Sequence, residues 1–145
     1  MIEMENISME YSDSYIKEIL TSVKTIALIG ASRKTHRASY QVMDYLQQQG
    51  YRVIPVNPSM QDEELLGETV YASLADIPET FDMVDVFRNS EAALLVTQAA
   101  IPCQPKVIWM QNGVINPAAA ELAEAAGIKV IMDRCPKIEI PRLGL

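Results

Sequence analysis

Five short runs, residues 25–29, 52–56, 83–87, 106–110 and 129–132, are apolar at almost every position, and enough chain separates them for a helix in each interval. A strand with one wet face alternates apolar and polar residues, whereas a strand covered on both faces has no position to give to water. The runs therefore predict buried strands. Parallel neighbours need a long crossover, usually helical, and that helix then covers one face of the sheet. The pattern specifies an α/β chain whose sheet is sandwiched between helices.

The intervals carry the matching helix punctuation. Ser12 or Asp13 can cap a helix with Ile16, Ile19 and Leu20 on one face, making residues 1–23 an N-terminal helical extension. A second helix is predicted over 39–49, with Val42, Met43 and Leu46 inward and Gly50 as its stop. A third is capped by Asn89 or Ser90 and runs to about Ala100. A fourth is capped by Asn116, carries Pro117 in its first turn where a missing N–H costs nothing, and stops at Gly127. Pro55 removes a donor from the second run and argues against a central place for it. Residues 59–78 are irregular, with a short strand at Thr69-Val70 and a turn of helix from Ser73. With right-handed crossovers, the expected fold is a Rossmann-like, doubly wound, mainly parallel sheet with helices on both faces. At 145 residues the chain has material for one such core, so residues 1–145 are read as a single domain.

In an open sheet of this kind ligands bind beyond the carboxyl ends of the strands, which directs attention to the loops that follow each run. The first of these is Gly30-Ala31-Ser32, leading through Arg33-Lys34-Thr35-His36-Arg37 into the second helix. A strand ending in glycine and opening a helix presents backbone N–H groups and the positive helix end to an anion. The dinucleotide fingerprint is incomplete, since Ser32 and Thr35 stand where its second and third glycines would be. After the second run Val56 is followed by Asn57 and Pro58, with no acid to hold a ribose hydroxyl, which counts against NAD. Arg33, Lys34 and Arg37 instead suit a ligand richer in phosphate; coenzyme A meets that requirement, and so does NADP. As residue types alone these cations also suit a solvated loop.

Net charge matters here because it sets the background. At −7 the chain disfavours a general nucleic-acid surface, so an anionic ligand has to meet a local positive site. No apolar run approaches the length of a membrane span, and Met1-Ile2-Glu3-Met4-Glu5 is acidic where a secretory leader would be basic, so a cytoplasmic location is expected. Cys103 and Cys135 make no disulfide framework or zinc motif; reduced thiols and no metal are expected.

Six stretches in order resemble the small stand-alone CoA-binding proteins, whose domain is similar to the CoA-binding domain of the succinyl-CoA synthetase α subunit. They are Thr25 to Ser32, Arg37-Ala38-Ser39-Tyr40, Gly50 to Pro58, Val84 to Arg88, Trp109 to Gly113 and Asp133-Arg134-Cys135-Pro136. The resemblance runs from about Lys24 to the C-terminus. It implies coenzyme A or an acyl-CoA held by Gly30, Ala31, Ser32, Arg33, Arg37, Ala38, Ser39 and Tyr40. The adenosine side would lie near the Val56-Asn57-Pro58 corner, with further contacts from Phe87 and Arg88 and lesser ones from the Gln111-Asn112-Gly113 turn, Asn112 and Gly113 above all.

No catalytic constellation accompanies these residues. His36 stands alone in the basic loop, poorly placed as a general base. Cys135, beside Arg134, is read first as a packed thiol and second as a reactive one. Asp82, Asp85 and Asp133 are read as structural or solvated, and Trp109 and Tyr40 as packed aromatics that could otherwise stack on adenine. The expectation is a CoA-binding module that is not an enzyme on its own. An NADP-dependent oxidoreductase and a ligand-free interaction subunit are the alternatives. The helix holding Ala92, Ala93, Leu94, Leu95, Val96 and Ala99 is apolar around much of its circumference, which suits burial by the sheet and contact with a protein partner or a second copy.

Overall fold

The computed structural model describes residues 10–145, in which five parallel strands form one twisted sheet between two helical layers. The acidic N-terminal segment falls outside the described residues. The strands are β1 (Thr25–Ile29), β2 (Arg52–Val56), β5 (Met83–Val86), β6 (Val107–Met110) and β7 (Lys129–Ile131), and their order is β2-β1-β5-β6-β7. A two-stranded antiparallel hairpin, β3 (Glu64–Leu65) and β4 (Glu68–Thr69), stands apart from the sheet. The Rossmann-like expectation is borne out: all four neighbouring pairs in the main sheet are parallel.

The apolar runs are explained by two cores, one on each face. Ile26 and Leu28 of β1 point into one, together with Met43, Leu46 and Trp109; Ala27 and Ile29 point into the other, with Ile54, Val84, Ile108 and Met110. Helices α1 (Asp13–Ser22), α2 (Ala38–Gln48) and α5 (Pro136–Arg142) cover the first face, and α3 (Ser90–Ala100) and α4 (Pro117–Ala125) the second. Side-chain caps close α1, α3 and α4: Ser12 accepts from Tyr15 N, Asn89 from Ala92 N and Asn116 from Ala119 N. Helix α5 has no counterpart in the sequence reading.

Both sheet edges are occupied. Pro55 lies on β2, an edge strand, where a missing donor is tolerated, and Tyr71 N donates to its carbonyl. At the other edge Tyr15 of α1 and Tyr11, just before that helix, place their hydroxyls along β7 and its end: Val130 N donates to Tyr15 Oη, and Met132 N to Tyr11 Oη. A ladder that would otherwise invite another chain is thereby satisfied from within.

Candidate functional site

The strand order reverses between β1 and β5: from β1 the chain goes outward to β2 and returns to β5 on the opposite side. Loops leaving the carboxyl ends of these neighbours therefore diverge and open a crevice at that point. Gly30 stands at its floor, with φ +90°. A Cβ there would lie 2.2 Å from the Phe87 carbonyl oxygen, so only glycine allows the two loops to approach this closely. The third wall is tied in by backbone and side chain together. Gly30 N and Ala31 N both donate to Val56 O, and Asn57 donates from Nδ2 to Ala31 O at 2.7 Å while its Oδ1 accepts from Ser59 N at 2.8 Å.

Three clefts meet at Gly30. The largest, about 470 Å³, lies on the β2 side between the Asn57-Pro58 corner and α3; Leu74, Leu95, Val96 and Ala99 make it mainly apolar, and Arg88 stands at its rim. The second, about 310 Å³, runs under the basic loop and is lined by Arg33, Lys34 and Arg37 opposite Asn57 and Met60. The third, about 200 Å³, lies between the start of α2 and Phe87, lined by Arg37, Ala38 and Ser39. Arg37 borders the second and third. An apolar slot and two small cation-lined pockets, joined at a glycine, can take a flat apolar ring system at one end and phosphate groups at the other.

Most donors of the two cation-lined pockets are uncommitted among the described residues. Arg37 occupies the position before α2 but no side chain caps that helix, so its first-turn N–H groups lack the cap that α1, α3 and α4 carry. Arg37, Lys34 and Arg88 are exposed, and no ion pair to them occurs among the described residues. Arg33 differs: its guanidinium pairs with Glu63 at 3.1 Å.

The structure thus gathers Gly30, Ala31, Ser32, Arg33, Arg37, Ala38, Ser39, Val56, Asn57, Pro58, Phe87 and Arg88 around one point. Tyr40 faces a separate polar cleft with Asp44 and Lys137. Asn112 and Gly113 border none of these clefts; their turn is pinned elsewhere, Gly113 N to Asp133 at 2.7 Å and Ile115 N to Ser90 at 2.9 Å. Trp109 is fully buried, with Nε1 donating to Arg134 O, and Cys135 is a buried thiol. Leu95, Val96 and Ala99 were legible only as an unusually apolar helix; the cleft absorbs part of that excess. Asp85 is wholly buried on β5, level with Leu28 and Trp109, and neither carboxyl oxygen has a partner; burial pushes its carboxyl well above the usual carboxylate range.

Residues 24–141 match the family described as CoA binding domain. The chain belongs to that family. Among relatives, it is 39% identical over 127 residues to the uncharacterized protein YneT of Bacillus subtilis, covering 88% of this chain and 93% of that one. It is 37% identical over 111 residues to the alpha subunit of ADP-forming acetate–CoA ligase I of Pyrococcus furiosus, covering 74% of this chain but only 23% of the subunit. Among solved structures, a hypothetical protein from Pyrococcus horikoshii OT3 superimposes with a TM-score of 0.88 at 39% identity, over 93% of this chain and 94% of that one. The resemblance drawn from the six stretches is borne out, and the family match begins where it begins, at Lys24. Among the described residues no helix is long and apolar enough to cross a membrane.

Within this family fold Asn57 is placed as a strut between two loops, since both ends of its amide are engaged by the protein. Asn57→Ala is expected to lower unfolding free energy by about 1–2 kcal/mol, because it removes the donor from the part-buried Ala31 carbonyl, while the exposed Ser59 N–H can turn to water. Urea unfolding measures this; an unchanged midpoint would remove the strut.

Proposed function

We propose that this protein binds coenzyme A, free or acylated, along the carboxyl edge of its sheet, and that it carries no catalytic apparatus of its own. The adenine ring enters the apolar cleft beside Leu95 and Val96, the phosphates lie over Gly30 and the start of α2, and the 3′-phosphate meets Arg37. The observation that carries this reading is the placement of Arg37: an exposed cation without an ion-pair partner, shared by two pockets at an uncapped helix start, in a chain whose net charge is −7. A cation so placed is suited to a multiply charged ligand. The family match supports the ligand class, and the name of the Pyrococcus ligase subunit points the same way.

The non-catalytic reading rests on what surrounds the crevice. Its lining supplies backbone donors, guanidinium and ammonium groups and apolar side chains, while His36 and Cys135 border none of the three clefts. The ligase subunit is more than four times the length this chain matches, so the chemistry of such an enzyme would have to come from elsewhere.

Calorimetric titration of ligand-stripped protein with CoA, dephospho-CoA, NAD and NADP at one salt concentration tests the reading. CoA is expected to bind tightest. Arg37→Ala should weaken CoA by about 1.5–3 kcal/mol, a charge-assisted contact, and dephospho-CoA much less. Equal weakening of both would remove Arg37 from the 3′-phosphate. Preference for NADP, with hydride transfer, would replace the reading with an oxidoreductase; no binding at all would leave an interaction subunit.

A further inference from the structure

Of the three cations that line the pocket under the basic loop, Arg33, Lys34 and Arg37, one is already neutralised by the protein itself. Both carboxylate oxygens of Glu63 lie against Arg33 Nη1, at 3.1 and 3.4 Å. In a chain of net charge −7 an acid set on one of these cations works against any anion that the other two attract. Its place is fixed by the backbone. Glu63 N donates to Met60 O at 3.0 Å, and Glu63 O accepts from Val70 N at 2.8 Å. The carboxylate therefore hangs from a held point on the segment between the Asn57-Pro58 corner and β3. Ser59 and Met60 of that segment line the pocket, whereas Glu63 itself does not, so it reaches Arg33 from outside the lining.

The geometry of the pair decides whether it aids or opposes a ligand. An acid that engages a guanidinium through two nitrogens fixes its plane and can aim the remaining donors at a phosphate. Glu63 engages one nitrogen only, which adds negative charge without fixing the plane. Both side chains are exposed, 64% for Arg33 and 44% for Glu63, and an exposed pair of this kind contributes little to the fold. What remains is its charge: a phosphate that takes up Arg33 meets the Glu63 carboxylate on the same guanidinium.

We propose that Glu63 is a built-in competitor of the ligand's phosphates for Arg33 and sets the affinity of the pocket for coenzyme A below what its cations alone would give. The inference rests on the CoA-binding reading above, and it concerns the regulation of that site rather than its location. Glu63 occupies Arg33, and a phosphate has to displace it or share the guanidinium with it. Glu63 is thus a counter-charge that acts through Arg33 and makes no contact of its own with the ligand.

Calorimetric titration with CoA of wild type, Glu63→Gln, Arg33→Ala and the double variant tests this, with Glu64→Gln as the control for net charge. Glu64 is the exposed neighbour of Glu63, and no ion pair to it occurs among the described residues. Glutamine keeps the shape of either side chain and removes one negative charge. Glu63→Gln is expected to bind CoA about threefold tighter than wild type, and Glu64→Gln to stay within about 1.5-fold of it. In the Arg33→Ala background Glu63→Gln should change the affinity by less than about 1.5-fold, because the group it competes for is gone. Unchanged or weaker binding by Glu63→Gln would overturn the proposal, the second result making Glu63 a positioning residue for Arg33. An equal gain from Glu64→Gln, or a gain that survives the loss of Arg33, would overturn it as well, since the effect would then belong to net charge. Failure of wild type to bind CoA would overturn the binding reading and this proposal with it, whereas tight CoA binding indifferent to Glu63 would keep the reading and discard the competitor.

Discussion

Gly30→Ala is expected to abolish measurable CoA binding and to cost at least about 3 kcal/mol of stability, the sum of two independent strains. The first is conformational: at φ +90° a residue with a Cβ sits outside the regions it readily adopts, a cost of roughly 1–2 kcal/mol. The second is steric. The added Cβ would fall 2.2 Å from the carbonyl oxygen of Phe87, and that oxygen belongs to backbone anchored by Phe87 N donating to Ile29 O at 2.9 Å. Neither loop can yield without unzipping the β1–β5 junction, and that junction is where the three clefts meet. Gly50 provides the control. It has φ +99° but empty space where its Cβ would go, so Gly50→Ala should show the conformational cost alone, about 1–2 kcal/mol, with CoA affinity unchanged. Denaturant unfolding and calorimetric titration of both variants measure the contrast. If Gly30→Ala unfolds within 1 kcal/mol of Gly50→Ala and still binds, the close approach of the two loops is not what shapes the crevice.

That contrast also shows where sequence reading succeeds and where it stops. Gly30 was legible as the turn that ends the first strand because a glycine there stands between an apolar run and a basic helix start. Its contact with Phe87 was not, since nothing local says that β5 returns beside β1, on the side away from β2. The strands were legible because burial on both faces removes polar residues, and the caps Asn89 and Asn116 because their side chains bond to N–H groups three residues on. Helix α5 was missed for a physical reason too: Pro136 and Pro141 bracket it, and proline ordinarily reads as an interruption, yet a seven-residue helix tolerates one in its first turn and one near its end. Two-residue strands such as β3 and β4 are too short to show any period.

The site divides in the same way. The loops after the strands were singled out because the fold class fixes where ligands lie in such sheets, and the structure brings three of them together at Gly30. Leu95, Val96 and Ala99 were taken for core and partner surface, because an apolar residue on a helix carries no mark of whether a cleft or a core receives it. Asn57 was carried over as a ligand contact from the family resemblance, and the fold commits its amide to Ala31 and Ser59. The Gln111-Asn112-Gly113 turn was carried over from the resemblance alone, and in the structure none of its residues borders the three clefts at Gly30.

Asp85→Asn is expected to remove a destabilisation that grows with pH. Asp85 is wholly buried on β5 between Leu28 and Trp109, with no donor to either oxygen, and burial alone raises its carboxyl in the folded protein. In the unfolded chain the same group titrates near the ordinary value of about 3.9. Between those two points the native state holds a proton that the unfolded state has released, so stability falls as pH rises, by up to about 1.4 kcal/mol per pH unit. Below the unfolded value the side chain is neutral in both states and the penalty vanishes. Asp82 acts with the opposite sign. Burial raises its carboxyl, but N–H bonds from Lys24 and Thr25 and the Lys106 ammonium outweigh burial and lower it, so its stabilising contribution is lost as pH falls. The wild-type curve therefore mixes both effects, and the difference between Asp85→Asn and wild type isolates one. That difference should be smallest near pH 4 and grow in favour of the variant as pH rises from there, read as urea midpoints at matched salt. The Asn amide keeps the shape and cannot ionise, so parallel curves across this range would mean that Asp85 is ionised in the native state and held by a partner after all. Widening curves would locate a neutral carboxylic acid one pleat beneath Phe87, in the strand whose end forms the inner wall of the crevice.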